Sequence, residues 1–166
     1  SEASDERVNR DIKCILKLGV AVPVLIGGTE EADRTAKKQG MDLKGFEIID
    51  NRKSKDLDKY VALYCEKRKH KNVSPDDALK IITTNPVFYA ALMVASGDAD
   101  GTVTGAATTT RDVAKAAIYC IGPAENIRTV SSSTILIVSD ATLGSDGVFI
   151  YADAGIVPDP TSEQLD

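Results

Sequence analysis

The sequence has 166 residues, of which 43% are hydrophobic and 27% are charged, and its formal net charge is −5. These values predict one soluble globular domain and argue against a nucleic-acid-binding protein, which would present a basic face. No apolar run is long enough to cross a bilayer as a helix, so neither nucleic acid nor a membrane is expected as a partner.

The first part of the chain alternates helical and strand-like patterns. Ser4 is predicted to cap a helix that starts at Asp5, because apolar residues then recur at helical spacing. The continuous apolar run Val20–Ile26 predicts a strand that is buried on both faces. Two glycines follow, and Thr29 is expected to cap a helix that reaches about residue 39. The spacing of these glycines does not fit a dinucleotide fingerprint, which disfavours a plain nucleotide-binding module.

The middle of the chain carries strong start signals for helices. Residues 46–49 predict a short strand, and residues 57–69 predict a helix. Ser74 is followed by proline and two carboxylates, which is typical of a helix start, and this helix is expected to end near Thr84. Asn85 and the proline after it open the next helix.

The last part of the chain predicts one more helix and two strands. The helix is expected over residues 112–121, a buried strand over residues 133–138 and a further strand over residues 148–152. Residues 144–147 predict a turn, and residues 161–164 form a capping box. The alternation predicts the α/β class, a Rossmann-like three-layer α/β/α arrangement with a mostly parallel sheet.

The cysteines indicate a reducing compartment. Cys14, Cys65 and Cys120 each lie inside an apolar helical pattern, and their spacing fits neither a disulfide framework nor a metal site. We therefore expect reduced, buried thiols and a cytoplasmic location. A metal site is not expected, since the single histidine, His70, has no cluster of partners and is predicted to lie at the surface.

Two stretches could bind an anion. Residues 96–110 form a Gly- and Thr-rich bend that leads into a helix, where free N–H groups point outward. A tight turn followed by a cap explains the same residues. Arg68 lies in the basic run 67–71, which either places cations at a helix C-terminus or binds phosphate with the planar arginine fork.

The run Ala99–Ala106, which reads Ala-Asp-Gly-Thr-Val-Thr-Gly-Ala, resembles the phosphate acetyltransferase (phosphotransacetylase) family. Thr109, Thr110 and Asp112 continue the likeness, which covers almost the whole chain. Further runs in the family's order are Asp5-Glu6-Arg7-Val8, Pro23-Val24-Leu25-Ile26-Gly27, Arg68-Lys69-His70-Lys71, Ser131-Ser132, Ala152-Asp153 and Pro158-Asp159-Pro160-Thr161.

The resemblance implies an acyltransferase that moves acetyl reversibly between acetyl phosphate and coenzyme A. Residues 1–166 would be the N-terminal portion of a two-domain protein, without the first strand and the C-terminal half, and inactive alone. Coenzyme A and acetyl phosphate would be substrates, with no metal or prosthetic group required. The family also implies a cytoplasmic homodimer in acetate metabolism.

The resemblance also assigns site residues. Arg68 would bind phosphate or coenzyme A, hydroxyls would lie near the acyl phosphate, and glycines would let the backbone approach the substrate. No residue of this chain is assigned as catalytic, because the family's catalytic aspartate is expected beyond Asp166. The substrate- and coenzyme-A-binding candidates are Arg68, Gly101, Thr104, Gly105, Thr109, Thr110, Lys115 and Ser132.

Lys115 departs from the family pattern. It stands where the family has arginine, and lysine keeps the charge but loses the bidentate fork. This departure keeps open an alternative, a non-catalytic phosphotransacetylase-like domain that binds acetyl-CoA for regulation or oligomerisation.

Overall fold

The computed structural model describes residues 2–38, 40, 46–127, 129–152, 155–157 and 161–162. The chain divides into two compact units, Ser1–Gly122 and Pro123–Asp166. In the described residues, no single helix is long and apolar enough to cross a membrane; one pair of helices reaches that length only together and is bent by 110° between its members.

The first unit alternates helices with two strands. Its elements in chain order are α1 Glu6–Leu18, β1 Val24–Ile26, α2 Thr29–Lys38, β2 Glu47–Ile49, α3 Leu57–Lys67, a 3₁₀ turn Lys69–Lys71, α4 Pro75–Thr84, α5 Pro86–Ala95, α6 Thr110–Ala116 and a π-helical turn Ala117–Ile121.

The two strands of the first unit are parallel and separate two layers of helices. Leu25 lies opposite Ile48, and Ile26 lies opposite Ile49. Leu25 and Ile48 pack with residues of α1 and α2, whereas Ile26 and Ile49 pack with residues of α3, α4 and α5. Because successive strand residues point to opposite faces, helices cover both faces of the pair. The α/β class and its three-layer arrangement are confirmed.

Helix α5 forms the centre of the larger core. Its seven consecutive residues 87–93 are buried, as expected for a helix that is hydrophobic all round. The Tyr60 ring meets the Tyr89 ring edge-on, with centroids 4.8 Å apart, and the Tyr89 hydroxyl lies 2.6 Å from Ser54 Oγ. The buried Tyr89 hydroxyl thus keeps a polar partner.

Several predicted helix starts are confirmed, and the predicted cap of α1 is wrong. Ser74 accepts a hydrogen bond from the N–H of Asp77, and Asn85 accepts one from the N–H of Val87. The cap of α1 is Asp5 rather than Ser4, since the Asp5 carboxylate accepts the Arg7 N–H at 2.8 Å. Ser4 lies inside a turn that the Asp5 N–H closes onto a carbonyl three residues earlier.

The first predicted strand is too long. Only its last three residues, Val24–Ile26, pair with β2, while Val20 is 71% and Val22 is 91% exposed. Gly19 ends α1 in the left-handed conformation, and Pro23 has no N–H to give to a sheet ladder.

Other helix boundaries differ by a turn or less. Thr29 is the first residue of α2 rather than its cap, and the predicted end of this helix at residue 39 lies outside the described residues. Helix α3 ends at Lys67, and the basic run continues as the 3₁₀ turn. Helix α6 begins two residues earlier than predicted, at Thr110, and its continuation is π-helical.

The second unit contains an antiparallel hairpin, β3 Ser133–Ile137 and β4 Val148–Ala152. All five residues of β3 are exposed, so the prediction of a buried strand is wrong. The predicted turn is confirmed by left-handed glycines at 144 and 147. Within the described part of this unit the strand pairs on one side only. The predicted capping box extends to residues 163 and 164, which lie outside the described residues.

The cysteines are all free thiols, but they differ in burial. Cys120 is fully buried, Cys65 is half-buried and Cys14 is exposed. The prediction of a buried thiol is therefore wrong for Cys14, since the buried side of α1 is formed by Asn9 and Ile12.

Candidate functional site

The segment between α5 and α6, residues 97–109, is here called the site loop. Its start is fixed by Asp98, whose carboxylate accepts hydrogen bonds from Tyr60 Oη at 2.7 Å and Ser96 Oγ at 2.6 Å and pairs with the Lys59 ammonium. These contacts, led by Lys59, hold the pKa of Asp98 well below its usual range. Asp98 therefore anchors the loop as a carboxylate.

The end of the site loop encloses a second carboxylate, that of Glu2. Its Oε2 accepts the N–H groups of Gly105 and Ala106, both at 2.9 Å, and its Oε1 accepts the N–H of Ala107 at 2.8 Å. Burial would raise the pKa of Glu2, but hydrogen bonds from the Thr108 hydroxyl and these N–H groups outweigh it and lower the pKa. Gly105 has φ +104°, a left-handed conformation suited to glycine. Three backbone N–H groups of the site loop thus converge on one carboxylate, as in an anion-binding backbone turn.

Helix α6 begins directly after the site loop. Thr109 caps it by accepting the N–H of Asp112 at 3.2 Å, and its hydroxyl donates to the Asp112 carboxylate at 2.9 Å. Thr110 is the exposed first residue of the helix. Lys115 follows, with its Nζ 4.0 Å from an Asp112 oxygen and its side chain 38% exposed. The cap that was predicted at the end of the Gly- and Thr-rich bend is Thr109.

Arg68 lies at the C-terminal end of α3 and contacts the helix that continues α6. Its guanidinium carbon is 3.8 Å from the centroid of the Tyr119 ring. Its Nε is buried and has no hydrogen-bond partner among the described residues. Because an aromatic face attracts a cation, Tyr119 holds the guanidinium in place without using its hydrogen-bond donors.

The structure brings some of the predicted site residues together. Gly105 and Thr109 lie at the end of the site loop, Thr110 is the first residue of α6, and Lys115 lies on the same helix. A Cβ at position 101 would have no atom within 4 Å apart from those of its chain neighbours, and Thr104 is half-buried. Ser132 belongs to the second unit.

A groove runs beside the site loop within the first unit. Its volume is about 670 Å³, and its walls come from α1, from residues 20–26 and from residues 98–104 and 106. Gly101 and Thr104 therefore line a concavity that could receive a ligand. Over the part of the chain that the structure describes, no group of three His, Cys, Asp or Glu side chains could hold a metal ion.

Three contacts of this site could not be found from the sequence pattern. Glu2 is separated from its three donors by at least 103 residues, so no local spacing signals the contact. Tyr119 reads as one more apolar residue of a helix, although its ring carries the Arg68 guanidinium. Arg7 lies within a run that resembles the family, but its contact with the Ala106 carbonyl was not predicted.

The first unit is therefore a parallel α/β unit whose Gly- and Thr-rich loop is held by the carboxylate of its own Glu2. The family model described as Phosphate acetyl/butaryl transferase matches residues 1–166. The chain belongs to this family.

The chain is similar to proteins named phosphate acetyltransferase. It is 35% identical to that of Thermoanaerobacterium thermosaccharolyticum over 164 residues, which are 99% of this chain and 49% of the relative. It is 34% identical to that of Treponema pallidum, again over 99% of this chain and 49% of the relative.

Two solved phosphotransacetylase structures are also similar to this chain. A phosphotransacetylase from Streptococcus pyogenes matches with a TM-score of 0.85 at 29% identity, over 98% of this chain and 48% of that one. The EutD phosphotransacetylase from Staphylococcus aureus matches with a TM-score of 0.78 at 25% identity, over 98% and 47%. The chain spans about half the length of each of these four proteins.

Proposed function

We propose that the natural protein of which this chain is part catalyses the reversible transfer of an acetyl group between acetyl phosphate and coenzyme A. The observation that carries the proposal is the position of Arg68, a half-buried cation stacked on Tyr119 with a buried donor that has no partner among the described residues. Membership of the family and the named relatives support the same reaction.

The reaction needs a nucleophile, a leaving group and protein groups that stabilise the negative charge on both. The thiolate of coenzyme A attacks the carbonyl carbon of acetyl phosphate, the C–O bond to phosphate breaks, and inorganic phosphate leaves with the electron pair. Cations and N–H donors lower the barrier when they are already placed where negative charge develops. We assign Arg68 and Lys115 to binding phosphate groups, in line with the preference of guanidinium and ammonium groups for them.

The hydroxyls and glycines of the site loop are assigned to the acyl phosphate. Thr104 and Thr110 supply hydroxyl donors, Thr109 fixes the end of the loop because its hydroxyl donates to Asp112, and Gly101 and Gly105 let the backbone approach the substrate. No residue of this chain is assigned as the general base. Coenzyme A acts as a substrate, and no metal or prosthetic group takes part in the proposed reaction. We further propose that the protein is a cytoplasmic homodimer.

The proposal is tested by steady-state kinetics of Arg68 variants in the full natural protein. Arg68→Ala is expected to lower kcat/KM by about tenfold or more, since a charge-assisted bidentate contact is lost. Arg68→Lys is expected to restore only part of it, because lysine keeps the charge without the fork. Arg10→Ala, at an exposed arginine of α1, serves as the control. Equal turnover by Arg68→Ala and Arg10→Ala would refute the assignment of Arg68.

A second function is supported by Lys115. A lysine in place of the family's arginine favours a domain that binds acetyl-CoA without turnover and serves regulation or oligomerisation. Calorimetric binding of acetyl-CoA combined with the absence of turnover would select this second function.

A further inference from the structure

The Glu2 carboxylate is tied to the backbone of the site loop through both of its oxygens. Three consecutive N–H groups, those of Gly105, Ala106 and Ala107, donate to it at 2.8–2.9 Å. The side chain is buried, with 6% of the residue exposed. A carboxylate that accepts several backbone N–H bonds fixes the peptide planes that carry them, because each bond restricts the rotation of its own plane.

Glu2 is itself attached to the sheet. The Ala3 N–H donates to the carbonyl of Ile26, the last residue of β1, at 3.1 Å, and the Asp5 N–H donates to the Glu2 carbonyl at 2.9 Å. Glu2 adopts φ +64°, a conformation that is rare for a residue other than glycine. The carboxylate is therefore a rigid link between the end of β1 and the site loop.

The peptide groups at Ala106 are held from both sides. While the Ala106 N–H donates to Glu2, the Ala106 carbonyl accepts a hydrogen bond from the Arg7 guanidinium. That guanidinium is oriented by the Asp5 carboxylate, with Nη2 to Oδ2 at 2.8 Å. Residues 105–107 of the site loop are here called the fixed segment. The Glu2 carboxylate accepts hydrogen bonds from this segment, and the Arg7 guanidinium donates one to it.

The fixed segment lies between the threonines that are assigned to the acyl phosphate. Thr104 precedes it directly, and Thr110 follows three residues after it as the first residue of α6. A rotation of the segment would change the separation and direction of these hydroxyls. Since a displacement of about 1 Å in a binding group can cost roughly a hundredfold in rate, the segment has to be held firmly for catalysis.

We propose that Glu2 is a positioning residue for the acyl-phosphate site. Its carboxylate holds residues 105–107 so that the hydroxyls of Thr104 and Thr110 meet the phosphate end of the substrate. This inference rests on the proposed acetyl transfer, and it assigns Glu2 no contact with the substrate.

The test uses Glu2→Gln in the full natural protein. Glutamine has the same shape, but its amide nitrogen cannot accept an N–H, so one of the two oxygen acceptors is lost. We expect the KM for acetyl phosphate to rise by about ten- to a hundredfold, while the KM for coenzyme A stays unchanged. Glu47→Gln, at an exposed residue of β2, is the matched control and should leave both constants unchanged.

The two KM values separate positioning from a general loss of structure. A variant that only unfolds in part lowers the amount of active protein, which reduces the apparent kcat and leaves both KM values as they were. That result, or an unchanged KM for acetyl phosphate in a folded Glu2→Gln protein, would overturn the proposal. Absence of turnover in the unmodified protein would instead refute the acetyl transfer itself.

A second variant keeps the proposal testable if Glu2→Gln does not fold. Arg7→Gln releases the Ala106 carbonyl while the Glu2 carboxylate stays in place. It should raise the same KM selectively, to a smaller extent. An unchanged KM for acetyl phosphate in a folded Arg7→Gln protein would then overturn the proposal.

Discussion

Replacing Tyr119 tests how the position of Arg68 is maintained. The guanidinium carbon lies 3.8 Å from the ring centroid, close enough for a strong attraction between the cation and the ring face. Such contacts contribute about 0.5 kcal/mol when exposed and about 2 kcal/mol when desolvated. Since about 1.4 kcal/mol corresponds to a tenfold change in affinity, loss of the ring should raise the KM of the phosphate-bearing substrate by about 2- to 30-fold.

Two substitutions at Tyr119 separate the ring from the hydroxyl. Tyr119→Leu removes the aromatic face, whereas Tyr119→Phe keeps the face and removes only the hydroxyl. We expect the leucine variant to show the full rise in KM and the phenylalanine variant to resemble the unmodified protein. Initial rates of acetyl-CoA formation, measured against each substrate in turn, give the constants. Equal effects of the two substitutions, or no effect of Tyr119→Leu on a folded protein, would refute the role of the ring.

Three further outcomes follow from individual contacts. Lys115→Arg restores a bidentate fork and should lower the KM of the phosphate-bearing substrate by about two- to tenfold in the same kinetic assay. Hydrogen bonds from Arg7 lower the pKa of Asp5 from 3.8 to about 2. The stability that this pair adds is therefore complete above pH 3.8 and is lost as the pH falls through about 2; an NMR titration of the Asp5 carboxyl carbon measures the midpoint. Burial raises the pKa of the Cys120 thiol to about 12, so iodoacetamide at mildly alkaline pH should alkylate Cys14 in the folded protein and leave Cys120 unmodified, as read by peptide mass spectrometry.

Each of these three predictions has a result that would contradict it. A higher KM in Lys115→Arg would show that the fork does not fit at this position. An Asp5 midpoint at 3.8, unchanged by Arg7→Gln, would show that the two side chains do not pair in solution. Alkylation of Cys120 at the rate of Cys14 would show that the core around helix α5 opens readily.

The sequence was most informative where a structural signal is local. Ser74 and Asn85 cap their helices as predicted, because a cap and its N–H partner lie within three residues of each other. The predicted starts of α1 and α2 differ from the structure by one residue for the same local reason, since several polar residues compete at each start. The three layers follow from the alternation of strands and helices, which needs no long-range information.

Burial and long-range contacts were harder to predict. The apolar run that ends in β1 is only partly a strand, because Pro23 cannot donate to a ladder and Val22 is left exposed. The residues of β3 have the composition of a buried strand, but they pair only with β4 in the described part of their unit. An apolar run shows that burial would be favourable, but it does not identify the partner.

In the candidate site, too, local motifs could be predicted and long-range contacts could not. Arg68 and the threonines were named through the family's motifs, whereas the residues that hold them in place were not. Tyr119 contacts Arg68, which is 51 residues away in the chain, and Glu2 contacts backbone groups that are 103 or more residues away. Only the folded structure brings these groups together. The assignments of the substrate-binding residues stay predictions until the variants described above are measured.

The most direct test of the proposed function is the formation of acetyl-CoA by the full natural protein from acetyl phosphate and coenzyme A. The thioester and the released phosphate should be followed together. The proposed acetyl transfer predicts that both products appear in equal amounts and that the reaction runs backwards when acetyl-CoA and phosphate are supplied. Binding of acetyl-CoA without turnover in either direction would contradict the transferase and leave the non-catalytic binding domain.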